Sequence, residues 1–99
     1  MSETEVELDE STSDFLKALA SPARQQVMFL FAGGAELSVG DVAEQAAIGQ
    51  STASQQLAML RRGRILTSRR EGKTVYYRAD TEGTAAVLDN LQAYLRSCC

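Results

Sequence analysis

The 99-residue chain has no histidine, a single proline and only two cysteines, which are its last two residues. Without histidine, the usual serine and cysteine hydrolase chemistry loses its general base, and metal sites lose their commonest ligand. With no cysteine before position 98, no disulfide framework can staple the fold. No apolar run reaches the ~18 residues of a membrane span. The start, Met1-Ser2-Glu3-Thr4-Glu5, lacks the basic region of a signal peptide. These absences lead us to expect a cytoplasmic protein that is neither an enzyme nor membrane-bound. The chain is 44% hydrophobic, enough to fold as one small domain rather than stay disordered.

The net charge of −3 conceals an uneven distribution. Glu3, Glu5, Glu7, Asp9, Glu10 and Asp14 crowd the first fourteen residues, with no basic side chain among them. Arg61, Arg62, Arg64, Arg69, Arg70, Lys73 and Arg78 crowd the stretch 61–78, opposed only by Glu71. An acidic body argues against nonspecific polyanion binding, yet a concentrated basic segment still creates a local positive field. We divide the chain into an acidic head, residues 1–11, and a domain, residues 12–99. The head is a flexible tail or a prefix to the first helix.

Hydrophobic spacing predicts five helices and one hairpin. Phe15, Leu16 and Leu19 mark an amphipathic helix over 11–20. Ser21 is an N-cap and Pro22 a first helical residue for a second helix, running to about Ala32 and ended by Gly33-Gly34. After a brief extended stretch, Glu36-Leu37, Ser38 and Asp41 have the spacing of a capping box. The third helix that follows is joined by Ala47-Ile48-Gly49 to a fourth, Gln50 to Arg62. That short gap is the spacing of a helix-turn-helix. The period then falls to two in Ile65–Arg70 and Thr74–Ala79, which flank a three-residue loop, Glu71-Gly72-Lys73. Tyr76 and Tyr77 must point to opposite faces of that hairpin. A last helix runs from Thr81 to about Ser97. The fold class is therefore mainly α with a small β-hairpin, a winged helix-turn-helix.

Gln50, Ser51, Thr52, Ser54 and Gln55 crowd the first turns of the fourth helix. Such side chains cap helices, but they also bond base edges, and glutamine pairs with adenine in the major groove. Their place between a capped helix and a basic hairpin favours double-stranded DNA. Arg69, Arg70 and Lys73 at the hairpin tip suit the flanking backbone, giving affinity and register rather than sequence readout. Arg61, Arg62 and Arg64 fit either phosphate contact or the negative end of the helix dipole. The alternative is a winged-helix module whose basic hairpin contacts an acidic protein partner. Phe15 and Leu19 on the first helix, with Leu88, Leu91, Tyr94 and Leu95 on the last, form stripes best covered by a second copy. Cys98 and Cys99 leave three readings open: passive terminal thiols, a redox pair, or a chelator of a soft metalloid.

Four segments carry a resemblance: Ser21-Pro-Ala-Arg-Gln-Gln-Val27, Glu36-Leu-Ser-Val-Gly-Asp-Val-Ala43, Gln50-Ser-Thr-Ala-Ser-Gln-Gln-Leu57 and Arg70-Glu-Gly-Lys-Thr-Val-Tyr-Tyr-Arg78. In this order and spacing they resemble the ArsR/SmtB family of bacterial transcriptional repressors, over about residues 12 to 97. The resemblance implies a homodimer built on the first and last helices, with the fourth helix reading an inverted-repeat operator. Gln56 stands where relatives often have histidine. Ser38 takes the place of the cysteine of one family metal site. Of the second site only Asp80 matches, the other positions being Glu82, Ala93 and Arg96. The resemblance thus implies a member lacking both usual metal sites.

Overall fold

The computed structural model describes residues 8–99. The acidic residues Glu3, Glu5 and Glu7 therefore lie outside the described part. Asp9 at its edge acts as a helix cap: its Oδ1 accepts from the Thr12 N–H at 2.8 Å and starts α1, Glu10–Leu19. Those hydrogen bonds hold the Asp9 carboxyl below its ordinary pKa.

Ser21 caps α2, Pro22–Phe29, through the Arg24 N–H at 3.3 Å, with Pro22 opening the helix as expected. The helix ends at Phe29, three residues before the expected Ala32. The chain then turns at Leu30–Phe31 into a short 3₁₀ segment, Ala32–Gly34, in which Gly33 has φ +74°. The extended stretch predicted at 36–37 is shifted by one residue: Leu37 and Ser38 form a true strand, β1, Leu37–Ser38, and Glu36 precedes it. The Ser38–Asp41 capping box is present and starts α3, Val39–Ala46. Ala47, with φ 56°, turns the chain towards α4, Gln50–Arg62.

Strands β2, Leu66–Glu71, and β3, Thr74–Ala79, form the wing, and β3 also pairs with β1 in the antiparallel order β1-β3-β2. Three strands replace the expected two. The hairpin loop is also tighter than predicted, because Glu71 pairs with Thr74 and only Gly72 and Lys73 remain in the turn. Gly72 has φ +61° while Lys73 keeps an ordinary backbone, the arrangement of a type II′ hairpin turn. Helix α5, Thr81–Cys98, closes the chain.

Ala53, Leu57 and Leu60 of α4 are fully buried, and Phe15, Val27, Phe31, Val42, Leu66 and Val87 pack around them. The recurrence of α4's buried residues at four and three fixes which face of that helix turns inward, and hence which turns outward. Gly63 lets α1 cross the end of α4: a Cβ there would stand 2.9 Å from Phe15 Cα and 3.0 Å from the Asp14 carbonyl. Arg24 binds the same junction, its guanidinium donating to the Ala18 and Lys17 carbonyls (3.2 and 2.9 Å) and to Gln56 Oε1 (3.4 Å). No helix among the described residues is long and apolar enough to cross a membrane.

Candidate nucleic-acid interface

Five helices begin in the described chain, and four of them are capped by a side chain: Asp9, Ser21, Ser38 and Asp80. The exception is α4. Its N-cap is Gly49, which offers no side-chain acceptor, so the first-turn N–H groups of α4 have no partner from a cap. The serine and threonine that follow Gly49 therefore do not act as its cap. Ser51, Thr52, Ser54 and Gln55 are all exposed, whereas Ala53, between them, is fully buried. Gln50 is exposed too and lies against α3, its Nε2 3.5 Å from where a Gly40 Cβ would be. Gln56 is placed differently, bonded to Arg24. The result is an outward row of uncharged donors and acceptors over an open helix end, which suits base edges and phosphate oxygens.

The wing adds positive charge, though less freely than the sequence suggests. Arg70 and Lys73 are exposed near the tip and have no carboxylate partner among the described residues. Arg69, expected beside them as a DNA contact, is held by Glu36 (Nε–Oε2 2.7 Å) and by Glu71 (Nη1–Oε1 3.1 Å). Its guanidinium also lies 5.0 Å from the centroid of the Tyr76 ring. Tyr76 and Tyr77 do face opposite ways: Tyr77 packs on the core and Tyr76 under Arg69. Nothing local in the sequence marks Glu36 as a site residue, since its partner lies 33 residues away.

The apolar stripes divide between the two roles open to them. Phe15 is only 5% exposed and belongs to the core, which leaves little of it for a second chain. Leu19 is half-buried against that core, and Leu91 and Tyr94 are half-buried as well. Leu88 and Leu95 remain 47% and 50% exposed on α5. Phe29, which the stripes did not include, is 80% exposed. It borders, with Leu88, an apolar groove of about 600 Å³ between α2, the wing root and α5.

Ser38 and Asp80, where the resemblance places metal ligands, both act as helix caps. Ser38 Oγ accepts from the Asp41 N–H at 3.1 Å, and Asp80 Oδ1 accepts from the Gly83 N–H at 2.9 Å. Cys98 and Cys99 are exposed at the end of α5, with their sulfurs 2.8 Å apart. The hydrogen bond with Cys99 pushes the Cys98 thiol above its ordinary pKa.

A helix-turn-helix whose second helix presents its polar face outward, followed by a basic antiparallel wing, defines a winged-helix DNA-binding protein. Known proteins agree. A helix-turn-helix domain family model matches residues 19–69. The biofilm growth-associated repressor of Xylella fastidiosa is 42% identical over 78 residues, covering 79% of this chain and 67% of that protein. The transcriptional activator HlyU of Vibrio cholerae is 36% identical over 76 residues, covering 77% of this chain and 69% of that protein. A solution structure from Mycobacterium bovis, the homodimeric winged helix-turn-helix DNA-binding domain of a possible ArsR-family regulator, superposes with a TM-score of 0.72 at 30% identity. That likeness spans 99% of this chain and 90% of the other. The chain belongs to the ArsR/SmtB family, and it is a DNA-binding transcriptional regulator, not an enzyme.

Proposed function

We propose that the chain is a cytoplasmic repressor that binds an inverted-repeat operator as a homodimer, with α4 in the major groove and the wing on the flanking backbone. The observation that carries this reading is the uncapped, outward-facing N-terminus of α4. Gln55 and Thr52 supply base readout, while Arg70 and Lys73 supply phosphate contact. In this reading residues 12–99 form the DNA-binding and dimerisation unit and residues 1–11 an acidic extension.

Exposed Leu88, which lines the groove beside Phe29, and exposed Leu95, seven residues further along α5, support a second copy covering that helix. The M. bovis domain is a homodimer, and we carry that assembly over to this chain. A two-fold dimer would present its two recognition helices about 34 Å apart, or a multiple of that, matching half-sites one or more helical turns apart. Because Leu95 is half exposed in the single chain, Leu95→Glu leaves the monomer folded but desolvates a charge in the dimer. The variant should elute as a monomer and lose about 100-fold or more in operator affinity, as the two half-sites cease to be linked. A variant that stays dimeric and binds normally would refute this interface.

The capping duties of Ser38 and Asp80 support a regulator that works without the family's two metal sites. For a signal, the adjacent sulfurs of Cys98 and Cys99 suit bidentate capture of a soft metalloid better than oxidation: the raised pKa of the Cys98 thiol leaves it a slow nucleophile, whereas a bound ion can itself displace the protons. Operator release by arsenite in the wild type but not in the Cys98→Ser, Cys99→Ser double variant would support that role. Identical behaviour of the two proteins would leave the thiols without one.

A further inference from the structure

The wing carries a clasp that DNA contact alone does not call for. Arg69 on β2 reaches across Tyr76 on β3 to Glu36, the residue before β1, and so spans all three strands. Two parallel bonds join the pair, Nε–Oε2 at 2.7 Å and Nη2–Oε1 at 2.8 Å. Glu71 accepts from the remaining edge of the guanidinium at 3.1 Å, and the Tyr76 ring lies beneath it at 5.0 Å. A bidentate fork seated on an aromatic face is held in orientation far better than a single surface ion pair. Two carboxylates also more than offset its single charge, leaving little for a phosphate. Consistent with that, hydrogen bonding from Arg69 holds the Glu36 carboxyl below the usual carboxylate range.

The clasp's ends belong to different parts of the DNA-binding unit. Glu36 lies two residues before Ser38, whose capping box starts α3, so one end is tied to the helix-turn-helix. Arg69 lies one residue before Arg70, which pairs with Val75 and so projects from the opposite sheet face towards the tip. Leu66 and Tyr77 anchor the wing's root on the core, but β1 is only two residues long, so its backbone bonds alone hold the outer wing weakly against the helix-turn-helix.

We propose that Arg69 is a positioning residue rather than a phosphate contact: through Glu36 it fixes the wing against the helix-turn-helix, so that Arg70 and Lys73 meet the backbone in register. This rests on the DNA-binding reading above. The test compares wild type, Arg69→Gln, Glu36→Gln, their combination and the charge swap Glu36→Arg with Arg69→Glu. Each is titrated with salt against a random duplex of about 30 base pairs, with Arg70→Gln as a reference. Each single change should weaken binding about threefold, with the combination no worse than either and the swap recovering most of the loss. The salt slope should stay within half a unit for Arg69→Gln but fall by about one for Arg70→Gln. A slope that drops by about one in Arg69→Gln, with tighter binding by Glu36→Gln, would place Arg69 on phosphate and overturn the proposal. Unchanged affinity in every variant would overturn it too. Wild type that binds no duplex at any salt would instead overturn the DNA-binding reading, and the clasp's role with it.

Discussion

Helices α3 and α4 are joined by three residues and pack on the same core, yet their N-termini are built in opposite ways. At α3, Ser38 and Asp41 satisfy each other's backbone donors, and the helix end is closed. At α4 the cap is Gly49, no side chain covers the end, and five polar residues follow it. Glycine is itself a fair N-cap, so leaving α4 without a side-chain cap gives up roughly a few tenths of a kcal/mol that the other four α-helices keep. Helix ends left open in this way are free for an external anion. The difference separates a helix whose start is structural from one whose start is for use.

Closing the open end should break that contrast. Gly49 has extended backbone angles, and a Cβ there meets nothing within 4 Å. Gly49→Asp should therefore cap α4 without strain and raise its thermal stability slightly. The same carboxylate would stand where phosphate belongs, and affinity for operator and random DNA alike should fall about tenfold, read by fluorescence anisotropy. Opening the closed end should do the reverse. Ser38→Ala should lower unfolding free energy by about 1 kcal/mol in a urea titration while leaving the operator-to-random ratio unchanged. The joint between the two helices gives the smallest effect. Ala47 holds a left-handed conformation that disfavours any Cβ, so Ala47→Gly should stabilise the protein by about 0.5–1 kcal/mol without altering DNA affinity. Away from this comparison, Gly63→Ala should cost about 1–3 kcal/mol, because its Cβ would push α1 off the end of α4.

How much of this was legible in the sequence depended on the range over which each feature is encoded. The Ser38–Asp41 box, Pro22 at the start of α2 and the helix-turn-helix spacing are patterns of a few residues, and the structure shows them in place. The polar start of α4 was visible too, but not that Gly49 takes the cap position and frees the serines and threonine from it. Phe15 shows the limit of a hydrophobic stripe, which marks an apolar face without saying which neighbour covers it; here the monomer's own core does. Arg69 looked like its basic neighbours because Glu36 is far away along the chain, adjacent only once β3 lies between them. Gly63 and Arg24 carry no local signal for the same reason, their meaning set by α1 lying against α4. Strand β1, two residues long, shows in the sequence only as a brief extended stretch and is too short for a periodic signal that would mark it as part of the sheet.

The central claim is that the exposed side chains at the start of α4 read DNA and do not hold the fold together. Its most direct test is the Thr52→Ala, Gln55→Ala double variant, measured both for unfolding free energy and for affinity to operator and random duplexes. Base contacts of about 1–3 kcal/mol each predict that the operator-to-random ratio collapses by about 100-fold, while unfolding free energy moves by less than about 0.5 kcal/mol. An unchanged ratio, or a loss of stability with binding reduced equally on both duplexes, would contradict it.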